Sequence, residues 1–254
     1  MIKQITSVDE IKYLTNTFHS QKKSVGFVPT MGALHAGHES LFKKSVSEND
    51  ITVASIFVNR TQFNDPDDYK NYPRTIENDL HVLEKAGVDI LFLPKYEEIY
   101  NDDYRYRVTE NSLSKILCGS SRPGHFEGVL TIVLKLLNIV SPTKAYFGEK
   151  DYQQYLLIDG MCKALFMDVE IIPCPTVREK DGLAMSSRNL LLTTEERKIA
   201  PSFANILINA ASASLAKTQL EELGFKVDYV EDLYKRRFAA AFLGKVRLID
   251  NVQI

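Results

Sequence analysis

The sequence predicts an α/β chain in which a doubly wound, mostly parallel sheet is followed by a second, smaller α/β domain. Three observations predict it. Short apolar runs rich in β-branched residues alternate with helical periodicity from about residue 25 to residue 173, as βαβ units do. Composition shifts after Pro173-Cys174-Pro175, where a polar segment carrying Gly182 begins. The rest of the chain has too few strand-like runs for another unit of the same kind. The expected division is 1–175 for the sheet domain and 176–254 for the C-terminal domain, with 176–189 as linker.

Taken in order, a helix is expected over 7–18, with Ser7 as cap and Glu10 three residues on. Strands are expected at 25–28, 51–58, 88–93, 144–147 and 169–173. Helices are expected at 38–48, 75–86, 127–140 and 152–166. Asn64-Asp65-Pro66-Asp67-Asp68 reads as a solvated, mobile loop. Thr193 and Glu196 form a capping box that opens a helix, and Pro201 should kink or divide it. An alanine-rich stretch at 203–216, a short helix near 219–223, a strand at 225–230 and a final Arg247-Leu248-Ile249-Asp250 complete the small domain.

Composition narrows the function. The 254 residues are 44% hydrophobic and 25% charged, ordinary values for a soluble globular protein. A net charge of −2 without a basic run argues against a nucleic-acid partner. Cys118, Cys162 and Cys174 are odd in number and lack metal-like spacing, so they read as free thiols in a reducing compartment. No signal-like segment opens the chain, and Val129 to Val140 is too short and too interrupted to span a membrane. A cytoplasmic protein with no membrane partner is expected.

The chemistry concentrates where predicted strands end, the place where ligands of such sheets sit. Val25 to Leu41 reads as a strand, a tight loop with Gly32 and Gly37, and a helix start carrying His35-Ala36-Gly37-His38. Free N–H groups and the helix dipole make such a junction an anion site. The two histidines, three apart, share one face of the first turn. Gly37 is expected to leave room for a phosphate. The pattern resembles the HIGH motif of the nucleotidylyltransferase superfamily and of class I aminoacyl-tRNA synthetases, which implies an ATP phosphate site.

Asn59 and Gln62 are uncharged amides at the end of the second main strand, suited to carboxylates, hydroxyls and amines. Arg122 and His125 can touch an anion or hold their loop, and the structural role is favoured. In Gly148-Glu149-Lys150-Asp151, the glycine permits close approach of a ligand and the lysine offers a point charge to phosphate. Asp151 could cap the next helix or bind a ribose hydroxyl or Mg²⁺, and Gln154 faces the same side. Met185-Ser186-Ser187-Arg188 sets two hydroxyls beside a guanidinium, a good phosphate clamp. It resembles the KMSKS-type loop that partners the HIGH motif.

Six blocks in order, PTMGALHAGH, FVNRTQF, NYPRT, RPGHFEGVLTIV, GEKDYQQ and DGLAMSSRN, resemble the pantothenate synthetase (pantoate–β-alanine ligase) family. The resemblance runs from about Gly26 to Leu192 and resumes in FLGKVRLIDN. It implies a Rossmann-like sheet domain and a C-terminal lid. It also implies a two-step ligation: pantoate is adenylated by ATP, and β-alanine then displaces AMP. Mg²⁺ is implied as the companion of ATP, and a homodimer as the assembly. By motif, Met31, Gly32, Ala33, Leu34, His35, Ala36, Gly37 and His38 would form the ATP phosphate loop, with His38 as proton donor. Gly148, Glu149, Lys150 and Asp151 would bind ATP, Asp151 near ribose or metal. Val177 would give adenine a backbone contact. Met185, Ser186, Ser187 and Arg188 would close over the phosphates, with Gly182 as pivot. Gln62 and Gln154, with Asn59, would hold pantoate and β-alanine. His35, His38, Lys150 and Arg188 would carry catalysis.

Two departures stand out. Arg60 occupies a position where the family usually has proline, so the bend after Asn59 is expected to differ. The stretch between Tyr229 and Phe242 looks short. Rival readings are a nucleotidylyltransferase acting on another small acceptor and a nucleotide-binding module without activity.

Overall fold

A computed structural model describes residues 2–254. Among the described residues nine strands run as β1 (Lys3–Ile5), β2 (Val25–Thr30), β3 (Ile51–Ile56), β4 (Ile90–Phe92), β5 (Lys144–Gly148), β6 (Glu170–Cys174), β7 (Lys226–Leu233), β8 (Arg236–Leu243) and β9 (Val246–Gln253). The helices are α1 (Val8–Ser20), α2 (Ala36–Glu48), α3 (Pro66–Lys70), α4 (Ile76–Ala86), α5 (Tyr96–Ile99), α6 (Cys118–Ser121), α7 (His125–Val140), α8 (Tyr152–Ala164), α9 (Thr194–Ile199), α10 (Pro201–Asn209) and α11 (Ala213–Glu222).

The first six strands form one parallel sheet in the order β1-β4-β3-β2-β5-β6. Alternation along the strands divides its two faces. Phe27, Val53, Phe92 and Phe147 pack with residues of α1, α7 and α8 on one side. Val28, Ala54, Leu91 and Tyr146 pack with Phe42 of α2 and Leu83 of α4 on the other. Strand order reverses at β2, with β3 on one side and β5 on the other. The carboxyl ends of β2, β3 and β5 therefore open onto one crevice. No helix among the described residues is long and apolar enough to cross a membrane.

The last three strands form an antiparallel meander with its own core, built on Phe203, Leu207, Leu220 and Phe225. Thr193 and Glu196 make the reciprocal cap of α9, and Pro201 divides the pattern by opening α10 at its first turn. The shortness after Tyr229 has a simple form. Tyr234 and Lys235, both at positive φ (51° and 57°), join β7 to β8 as a two-residue hairpin turn.

Two expectations, the loop and the pivot, fail here. Residues 64–68 are largely exposed, as expected, but they open a short helix rather than forming a loop: Asp65 caps α3, accepting from the Asp67 N–H at 2.8 Å. The 176–189 segment is folded rather than a bare connection. Gly182 (φ 92°) sits at the tip of a small hairpin closed by Glu179 and Leu183, so it is no pivot between domains. That hairpin is fastened to the meander by a bidentate Arg178–Asp250 pair (2.6 and 3.0 Å) and to α9 by Arg197 on Glu179 (2.6 Å).

Candidate active site

The loop after β2 owes its shape to a residue far away in sequence. Gly32 (φ 82°) and Ala33 (φ 52°) turn the chain sharply. The buried carboxylate of Asp79, on α4, accepts from the N–H groups of Ala33 (3.1 Å) and Leu34 (2.8 Å). A Cβ on Gly32 would lie 3.0 Å from that carboxylate.

Helix α2 then begins with histidines in the places usually taken by Ser and Glu. His35 Nδ1 accepts from the Gly37 N–H at 3.1 Å, and His38 Nδ1 accepts from the His35 N–H at 3.3 Å. Each Nδ1 is thus an acceptor, so each neutral ring carries its proton on Nε2. The ring centroids are 4.2 Å apart. Burial, then Lys150, lowers the His35 pKa to about 4. Burial, then His35 and Lys150, lowers that of His38 to about 3. At neutral pH both rings are therefore neutral, each offering one N–H at Nε2. The space at Gly37 is taken by His35 itself: a Cβ there would lie 2.8 Å from the ring.

After β3, Asn59 is extended (φ −79°, ψ 102°) and residues Arg60–Gln62 make one 3₁₀ turn. The bend forms without proline. Asn59 is buried, and its side chain is fully engaged within the protein. Nδ2 donates to Gln62 Oε1 (3.0 Å) and Gly128 O (3.2 Å), while Oδ1 accepts from Tyr100 (2.8 Å) and Thr61 (3.0 Å). It therefore orients Gln62 and has no atom left for a substrate. Gln62 Nε2 donates to Met31 Sδ (3.2 Å), which leaves its second N–H free.

Two glutamines follow the turn after β5, and they differ. Gln153 is spent on Cys118 N–H and on the carbonyls of Leu113 and Ile116. Gln154 lines a cavity with Lys150, Asp151, Arg122 and His125. No chain atom occupies the space beside Gly148. The meander grips this turn. Asn251 donates to the carbonyls of Glu149 (2.7 Å) and Lys150 (3.0 Å), and Arg236 pairs with Glu149 (3.0 Å). The Glu149 side chain thus faces the second domain. Asp151 lies 3.8 Å from the Lys150 ammonium and close enough to His35 and His125 to act on both as a charge.

In the hairpin segment, the Val177 carbonyl accepts from Met185 N–H (3.0 Å), which leaves its N–H and the second lone pair of its carbonyl for a ligand. Met185 reaches the phosphate loop, its Cβ lying 3.8 Å from a Cβ placed on Gly37. Ser186 Oγ caps the turn of Ser187–Leu191 by accepting from Arg188 N–H. The Arg188 guanidinium pairs with Asp68 of α3 at 3.2 Å. Asp79 and Arg236 belong to no local sequence pattern, and Asp68 and Asn251 lie in stretches whose sequence does not mark them as partners of this site.

The chain matches the family model for pantoate-beta-alanine ligase over residues 3–253. The chain belongs to the pantoate-beta-alanine ligase family. A pantothenate synthetase of Bdellovibrio bacteriovorus is 59% identical over 234 residues, 92% of this chain and 93% of its own. One of Legionella pneumophila is 57% identical over 96% of this chain and 97% of its own, so the two are nearly equal in length. A crystal structure of the Francisella tularensis ligase, complexed with beta-gamma ATP and beta-alanine, superposes with a TM-score of 0.94 at 43% identity. It covers 100% of this chain and 98% of that one. The Thermus thermophilus pantothenate synthetase gives 0.92 at 38% identity, covering 99% of both.

The family's histidines also set the acid stability of this member. Burial lowers the His125 pKa to about 3, with Arg122 adding to the shift. His35, His38 and His125 are neutral when folded and titrate near 6.5 when unfolded. The unfolded chain binds more protons below that value. The stabilisation is complete above pH ~6.5 and is lost as pH falls toward the folded values. Each fully sheltered ring should contribute a slope of about 1.4 kcal/mol per pH unit, and half-exposed His35 less. Urea midpoints should be level from pH 7 to 8 and fall steeply from 6 to 4.5. Equal midpoints at pH 7 and 5 would contradict the assignment.

Proposed function

We infer that this chain condenses pantoate with β-alanine through a pantoyl-adenylate intermediate, releasing pyrophosphate and then AMP. The observation that carries the reading is the reciprocal His35–His38 cap. It leaves two Nε2–H donors beside Lys150 at the carboxyl ends of β2 and β5.

In the first step a pantoate carboxylate oxygen attacks the ATP α-phosphorus and the bond to pyrophosphate breaks. Negative charge gathers on phosphate oxygens, which calls for preorganised donors rather than a nucleophile from the protein. His35, His38, Lys150, the free backbone N–H groups of the loop and Arg188 form such a set. Burial pushes the Cys162 and Cys174 thiols up to about 11, so neither offers a thiolate at neutral pH. Gln62, with one N–H free, and Gln154 would hold pantoate's hydroxyls and carboxylate. In the second step the β-alanine amine attacks the acyl carbon and AMP leaves. Mg²⁺ would neutralise phosphate charge. Asp151, with ATP oxygens, would hold it, since no group of three His, Cys, Asp or Glu side chains converges among the described residues.

Residues from 176 onward act as the lid, with Arg188 exchanging Asp68 for the ATP phosphates on closure. The bonds from Arg178 and Arg197 support this, because they make the segment part of the second domain. A cytoplasmic homodimer belongs to the same reading.

The test is AMP formation. It should require ATP, pantoate and β-alanine together. Pyrophosphate release without AMP, with the nucleotide retained in the product, would favour a nucleotidylyltransferase acting on another small acceptor.

A further inference from the structure

Resting on that function, the two carboxylates brought by the substrates have different fates. Pantoate's is consumed, becoming the acyl phosphate beside His35, His38 and Lys150. β-Alanine's stays ionised through both steps, at the far end of the molecule from the attacking amine. Sheltered from water, it needs a cation that no protein acid has neutralised.

Most cations near the crevice are taken. Arg188 pairs with Asp68, Arg236 with Glu149, Arg247 with Asp228 and Arg178 with Asp250. Lys150 stands at the phosphate end, beside the two histidines. Arg122 differs from all of these. It is half-buried, makes no ion pair among the described residues, and lines the cavity that also holds Gln154, Lys150 and Asp151. Its Nη1 donates to His125 Nε2 at 3.0 Å, and Nη2 reaches the Gln62 carbonyl at 3.4 Å.

The choice of histidine as partner is informative. His125 Nε2 accepts from Arg122, so the proton of the neutral ring lies on Nδ1, which donates to the Gln62 carbonyl at 2.8 Å. A buried, neutral imidazole aims the guanidinium and ties it to the Gln62 turn. A carboxylate in its place would aim it equally well but cancel its charge. Burial chiefly, with Arg247 and Arg188 nearby, lowers the pKa of Arg122, while Cys118 and Asp68 act the other way without forming an ion pair with it.

We propose that Arg122 receives the carboxylate of β-alanine, and that His125 is the positioning residue that holds it there without neutralising it. A guanidinium suits a carboxylate by its planar fork. The site thereby distinguishes β-alanine from a simple amine.

The test separates the half-reactions. Arg122→Ala should raise the β-alanine KM by about 10–10²-fold, the range for a lost charge-assisted hydrogen bond. Pantoate-dependent ATP–pyrophosphate exchange, measured without β-alanine, should stay within a few-fold of wild type. Ethylamine, which is β-alanine without its carboxylate, supplies the decisive readout. Wild type should favour β-alanine over ethylamine by about the same 10–10²-fold, and Arg122→Ala should lose that preference. If Arg122→Ala does not fold, Arg122→Gln carries the same comparison. His125→Glu should mimic Arg122→Ala in β-alanine KM, because the new carboxylate pairs with the guanidinium, whereas His125→Asn should retain most of the affinity. An unchanged preference over ethylamine, or exchange that falls in parallel with β-alanine use, would overturn the proposal and make Arg122 a holder of the loop. Absence of AMP formation by the wild-type protein would instead count against the ligase reading itself.

Discussion

Replacing His38 by alanine is expected to slow adenylation by about 10²–10³-fold, the scale of losing one preorganised transition-state donor. The ring is neutral, with Nδ1 occupied by the His35 N–H, so Nε2–H is its single outward-facing group. Its contribution should appear in pyrophosphate release in the presence of pantoate, while pantoate affinity changes little. The same substitution removes one half of the reciprocal cap. A control is therefore needed to separate chemistry from helix fraying, which costs about 0.5–2 kcal/mol. His38→Gln supplies it. A glutamine can accept from the His35 N–H and still offer an N–H, though from a shifted position. Unfolding midpoints should recover in His38→Gln more fully than the rate does. A His38→Ala protein that releases pyrophosphate at nearly the wild-type rate would remove His38 from the adenylation step.

Much of this site was legible because its key contacts are local. His35 and His38 meet within one helical turn, so their spacing in sequence is their spacing in space. The alternation of apolar runs was equally readable, since the inner strands β2, β3 and β4 are buried on both faces. What escaped depends on long-range packing. Asp79 shapes the loop at Gly32–Leu34 from more than forty residues away, and nothing in its helix marks it. Asn59 looked like a binding amide, but residue type cannot reveal that all four of its hydrogen-bond positions are already filled. Strand β8 hid behind three alanines, good helix formers that sit in a sheet because β7, β9 and the helices beneath leave little room. Arg122 reads in sequence as one more loop cation. Its lack of an acidic partner exists only in three dimensions.

The second large effect comes from a residue that touches no substrate. Gly128 lies in the first turn of α7, directly behind the 3₁₀ turn that presents Gln62. A Cβ added there would lie 2.5 Å from the Thr61 carbonyl oxygen, 2.7 Å from its carbon and 2.8 Å from Gln62 Cα. All three are backbone atoms, so no side chain can swing aside. Either α7 withdraws or the 59–62 turn is pushed into the crevice. Withdrawal would open the apolar contacts of Val129, Leu130 and Val133 with the sheet, which resists it. Displacement of the turn is the cheaper response, and it would also stretch the bonds from Asn59 to Gly128 and from His125 to Gln62. A shift of about 1 Å in a substrate-holding group costs about 10²-fold in rate. Gly128→Ala should therefore lose about 10²-fold in kcat/KM for pantoate and for β-alanine alike. Nucleotide affinity should change little, because the His35–His38 cap and Lys150 follow other strands, β2 and β5. Isothermal titration with a non-hydrolysable ATP analogue and initial rates over both acid substrates would show the split. If Gly128→Ala keeps wild-type rates, the turn has yielded without moving Gln62, and close packing of α7 is not what sets the substrate side of the crevice. If nucleotide binding falls as far as the rates do, the disturbance has spread through the sheet and the effect is loss of fold rather than of aim.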